Sequence, residues 1–98
     1  MIKHIVAWRI ADGEDKIARA EAIKKNLEAL KDKIDVLVDI EVGLNFNTTE
    51  AASDVVLVST FGSREDLEIY QEHPEHKAVG QSYVRPYVKE RRVIDYEY

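Results

Sequence analysis

The sequence predicts an α+β domain in which the elements follow the order strand, helix, strand, strand, helix, strand. Two observations carry that expectation. Four stretches alternate apolar residues with period two, and the segments after the first and third of these repeat them at steps of three and four. With 98 residues, the chain is too short to divide into units that each bury enough apolar surface, so residues 1–98 are expected to form one domain around one core.

In the first strand, residues 2–10, Ile2, His4, Val6, Trp8 and Ile10 share one face, while Lys3, Ile5, Ala7 and Arg9 share the other. The turn ADGED follows, with Asp12 as the expected helix cap. Ile17, Ala20, Ile23, Leu27, Leu30 and Ile34 then trace one stripe of an amphipathic helix. Residues 36–44 return to period two, with Val36, Val38, Ile40, Val42 and Leu44 on one side and Leu37, Asp39 and Glu41 on the other. The polar run NFNTTEAAS reads as an exposed connection to a third strand, Asp54 to Phe61.

Ser63 and Asp66 have the spacing of a capping box, and Leu67 and Tyr70 lie three apart on the helix it starts. Pro74 stops that helix near His73 and suits the first turn of a new one, so His73 is expected to cap a second segment with His76, Val79 and Tyr83 on its inner face. Pro86 closes this segment, and KERRVIDYEY alternates as a fourth strand. The order is that of a ferredoxin-like βαββαβ protomer, a four-stranded antiparallel sheet with helices on one face.

Helices on one side leave the other side of the sheet to water, yet both faces of these strands are apolar. Val55, Leu57 and Phe61 oppose Val56, Val58 and Thr60, and Val6 and Trp8 oppose Ile5 and Ala7. The second face is therefore expected to pack on the sheet of another copy, giving a homodimer.

Composition narrows the function. At 45% hydrophobic and 34% charged the chain suits a folded soluble domain, and apolar runs such as Val55-Val56-Leu57-Val58 are far too short for a membrane span. MIKHIVAW passes from Met straight into a β-prone segment without a signal-like region, which predicts a cytoplasmic location. A net charge of −5 argues against nucleic acid as a partner. The basic run Arg85, Lys89, Arg91 and Arg92 reads as a solvated strand edge rather than an anion site. Zero cysteines exclude disulfides, thiolate metal sites and cysteine nucleophiles.

The segment YQEHPEHKA concentrates the titratable chemistry, with Tyr70, His73 and His76 at one helix junction and His4 on a strand beneath it. A neutral imidazole can take a proton, and a phenol can orient it or donate to a carbonyl oxygen gaining charge, so the pair could promote enolisation, aldol closure or isomerisation without a cofactor. Read structurally, His73 is a cap, His76 a hydrogen-bonded core residue, Tyr70 packing and Trp8 a core or interface anchor. The H-x-x-H spacing beside Glu72 and Glu75 suggests a metal, but Pro74 breaks the register that would aim both rings at one ion, and no metal is expected.

With IKHIVAWRI at its start, the tyrosine followed by H-P-x-H at Tyr70, His73, Pro74 and His76, and RRVIDYEY at its end, the chain resembles the stress-responsive A/B barrel (Dabb) family over nearly its full length. The resemblance implies a dimeric α+β barrel of two ferredoxin-like protomers. A plant polyketide cyclase of this family closes its substrate by an aldol reaction with a tyrosine and a histidine, which match Tyr70 and His76; His4 and His73 also have counterparts. Its further histidine near the third strand is replaced here by Val55. The expectation is a homodimer that binds a small apolar organic molecule, with His76 and Tyr70 catalytic in a cofactor-independent cyclase, lyase or isomerase reaction and His4, Trp8 and His73 contacting the ligand. The alternative is a non-enzymatic stress-associated or accessory protein acting through its stable dimer.

Overall fold

The computed structural model describes residues 1–98. Strand β1, Ile2–Ile10, leads to helix α1, Lys16–Glu28, which tightens into a 3-10 turn over Ala29–Asp32. Strands β2, Leu37–Leu44, and β3, Val55–Phe61, precede helices α2, Arg64–Glu72, and α3, Pro74–Val79; a π turn at Gly80–Val84 and strand β4, Val88–Glu97, complete the chain. The sheet runs β2-β3-β1-β4 with every neighbouring pair antiparallel, which is the ferredoxin-like topology expected from the element order. No helix is long and apolar enough to cross a membrane.

The core lies between the sheet and the helices. The even-numbered residues of β1 are all buried and meet Val55, Leu57 and Phe61 of β3 and Ala20, Ile23 and Leu27 of α1. Ser63 caps α2 as the capping-box spacing predicts, its Oγ accepting from the Asp66 N–H at 3.1 Å.

Four expectations are corrected. Helix α1 starts at Lys16 with Asp15 in the cap position, and Asp12 instead pairs with Lys89 at 3.2 Å, because the turn needs more residues to leave β1. Ile17 therefore lies before the buried stripe and is 75% exposed. In β2 a bulge inserts Val38: Leu37 faces Phe61 and Asp39 faces Thr60. Leu37 is thereby buried and Val38 is 50% exposed, the reverse of a strict alternation. After α3 the Arg85 N–H donates to the Gly80 carbonyl at 2.8 Å, a five-residue step, so Val84 rather than Tyr83 follows Val79 into the core.

The outer sheet face is uncovered. Ile5, Ala7, Val56 and Val58 lie half-buried among their neighbours, and Ile94, opposite Ile5 on β4, is 60% exposed. This apolar patch crosses the two central strands and the β4 edge.

Candidate functional site

The site is built by the break between α2 and α3. A residue before proline is steered out of the helical region, and His73 is extended at φ −65° and ψ 134°. Its Nδ1 accepts from the Glu75 N–H at 3.1 Å, so the ring caps α3 as its position before Pro74 predicts. The break changes which side chains meet. On one continuous helix a residue six positions on would point about 120° away from the first; here the rings of Tyr70 and His76 lie 4.4 Å apart between centroids.

Tyr70 is fully buried, with its ring centroid 5.0 Å from Phe61 on β3 and 6.5 Å from His4 on β1. His4 is buried too, and its Nδ1–H donates to Asp95 Oδ1, directly opposite on β4. Asp95 is a residue that reasoning from local sequence patterns missed: the period-two pattern puts it on a strand, but only the β1–β4 register sets it against His4.

Beside these rings lies a cavity of about 360 Å³ between helices and sheet. His4, Val6, Trp8 and Leu57 form its floor, Leu27 and His76 enter from α1 and α3, and Gly80, Val84, Arg85, Val88 and Arg91 complete the wall. Of the predicted site residues the structure brings His4, Trp8 and His76 to the cavity. Tyr70 stands behind His76, outside the lining, and His73 lies outside it at the cap. No three His, Asp or Glu side chains gather in a way that could hold a metal ion.

Three buried polar atoms lack a hydrogen-bond partner, namely Trp8 Nε1, Tyr70 Oη and His76 Nδ1. Such atoms cost stability, and two of the three belong to cavity-lining side chains. Burial pushes the Tyr70 phenol up, so it stays a proton donor at any physiological pH. Burial also lowers the His76 pKa beneath the ordinary 6.5, reinforced by the charges of His4, Arg91 and Arg85 and opposed by the Gln71 main chain. His76 is thus held neutral, able to accept a proton, next to a phenol able to give a hydrogen bond.

The sign of the resulting pH dependence follows from linkage. Between the lowered His76 value and the ordinary one, the unfolded chain binds a proton that the folded chain does not, so stability rises with pH there and is lost as pH falls. His76→Gln is expected to flatten that part of the stability curve. Urea unfolding at fixed protein concentration from about pH 5 to 7 measures it, and an unchanged slope would contradict a depressed His76.

Comparison with known proteins agrees with the fold. The sequence profile of the stress responsive A/B barrel domain matches residues 2–98. A dimeric ferredoxin-like protein of unknown function from Bacteroides fragilis is 37% identical, with a TM-score of 0.90 over 99% of this chain and 95% of its own. A dimeric ferredoxin-like protein from Thermobifida fusca is 23% identical, with a TM-score of 0.81 over 97% of this chain and 88% of its own. A hydroxynitrile lyase from Passiflora edulis shares the fold at 16% identity, with a TM-score of 0.81 over 97% of this chain and 90% of its own. No curated protein is similar enough in sequence to match.

Proposed function

Since the chain belongs to the stress responsive A/B barrel family, we propose that it works as a homodimer, joined through the outer faces of its sheets, that binds a small and largely apolar organic molecule beside His76 and acts on it without a cofactor. The observation that carries this reading is the cavity of about 360 Å³ with His4, Trp8 and a neutral His76 in its wall. A volume of this size suits a small ligand, and its mostly apolar lining with a few polar groups is the usual make-up of a ligand site.

In this reading His76 is the general base, taking a proton from carbon next to a carbonyl. Tyr70 is the positioning residue: its hydroxyl oxygen and His76 Nδ1 are both unpaired on rings in contact, so Nδ1–H can donate to the hydroxyl and leave the Nε2 lone pair to take the proton, and catalytic hydrogen bonds of this kind often tighten only when the site is filled. His4, held by Asp95, and Trp8 contact the ligand, and His73 contributes by setting the angle of α3. The reaction class is a lyase, cyclase or isomerase step through an enolate. The Passiflora edulis neighbour, a hydroxynitrile lyase, has the same fold.

A base probe tests the chemistry. Opening of 5-nitrobenzisoxazole begins with removal of a ring proton and releases a coloured phenolate, and it needs only a base in an apolar pocket. The protein is expected to accelerate it above free imidazole at equal concentration, with a rate that rises with pH through an inflection below 6.5. A rate no greater than that of imidazole would favour the accessory-protein alternative.

The dimer has its own test. Val58 lies on the outer face between Ile5 and Glu41, exposed enough that a lysine there leaves the protomer core intact. Val58→Lys is expected to sediment as a folded monomer of 11.3 kDa where the unaltered chain sediments at twice that mass. A wild-type monomer at micromolar concentration would contradict the sheet-to-sheet assembly.

A further inference from the structure

The basic run near the C-terminus divides once folded. Lys89 pairs with Asp12 at 3.2 Å and Arg92 with Glu90 at 3.2 Å, as a solvated strand edge should. Arg85 and Arg91 behave differently. The chain has six arginines; Arg9, Arg19, Arg64 and Arg92 each pair with a carboxylate. The remaining two, Arg85 and Arg91, make no ion pair, and they are the two that line the cavity.

This arrangement runs against the composition. Acidic residues outnumber basic ones 19 to 14, yet no Asp or Glu lines the cavity and two guanidinium groups do. Both sit near enough to His76 to disfavour its protonation. The space between them therefore has a positive potential at the mouth and an apolar interior of Val6, Leu27, Leu57 and Val84. A guanidinium fork matches a carboxylate with two parallel hydrogen bonds and is weakly hydrated, so it serves such a contact better than an ammonium.

We infer that the ligand of this cavity is an organic carboxylate, its apolar body lodged against Val6, Leu27 and Leu57 and its carboxylate held at the mouth by Arg85 and Arg91. The inference rests on the cavity being the ligand site, and it adds the charge class of the molecule. It also has a geometric consequence: a ligand anchored at the mouth presents the carbon chain beyond its carboxylate to His4, Trp8 and His76.

Matched pairs of probes test it, with binding followed through Trp8, the single tryptophan and a cavity residue. The probes are 4-butylbenzoate against 4-butylbenzamide and octanoate against octanamide, which differ within each pair chiefly in charge. Each carboxylate is expected to bind about tenfold or more tighter than its amide, and added salt should weaken only the carboxylate. The double substitution Arg85→Gln with Arg91→Gln should erase the preference, bringing the affinity of each carboxylate down to that of its amide. Equal affinities for acid and amide in the unaltered protein would overturn the anion inference while leaving the ligand cavity standing. A preference that survives the double substitution would overturn the assignment to these arginines. Failure of all four probes to bind would overturn both readings together.

Discussion

His76→Ala is expected to lower the rate of 5-nitrobenzisoxazole opening by about a hundredfold or more, the usual contribution of a positioned general base, while the protein remains a folded dimer. The ring being removed is only partly buried and one of its nitrogens has no hydrogen-bond partner, so little binding within the fold is lost with it. What is lost is the one imidazole that burial keeps neutral against the cavity. Circular dichroism and sedimentation of the variant separate the two roles. A variant that loses its dimer and its fold along with the rate would mark His76 as a structural residue of the helix junction.

Tyr70→Phe should move stability and rate in opposite directions. The aromatic ring packs between Phe61, His4 and His76, and phenylalanine preserves that packing. Only the hydroxyl goes, and it is a buried group without a partner, so its removal is expected to stabilise the protein by about 1 kcal/mol. For a domain of this size that corresponds to a rise of roughly 4–8 °C in Tm. The rate should fall about tenfold with KM little changed, because the hydroxyl is proposed to orient His76 only in the filled site. A drop in stability with an unchanged rate would show the hydroxyl to be a structural group. Tyr70→Ala is the poorer experiment, since emptying a fully buried aromatic site costs about 3–5 kcal/mol and confounds folding with function.

Both substitutions concern a junction whose backbone geometry is local, and that is why the helix break and its cap were legible in the sequence. A serine three residues before an acid, a proline after a histidine and a strand of strict alternation each specify their neighbours through short-range geometry, and Ser63, His73 and β1 all fold as those patterns require. The misplaced residues depend on longer-range conditions. Val38 moves because β2 must satisfy its ladder with β3, and Tyr83 is displaced by a π turn that no periodicity announces. Asp95 meets His4 only through the pairing of the first strand with the last, separated by almost the whole chain. For the same reason Arg85 and Arg91 read as part of a solvated run, and only the cavity distinguishes them from Lys89 and Arg92.

Binding of a small organic molecule beside His76 underlies each of these expectations. Soaking crystals of the protein with a library of small organic fragments tests this, because the position of each bound fragment is read at atomic detail. Fragments are expected in the space between His4, Trp8 and His76, with a polar atom within hydrogen-bonding distance of His76 and, for acidic fragments, a carboxylate turned to Arg85 and Arg91. Side chains closed over that space, with fragments bound only elsewhere on the protein, would contradict a ligand site there.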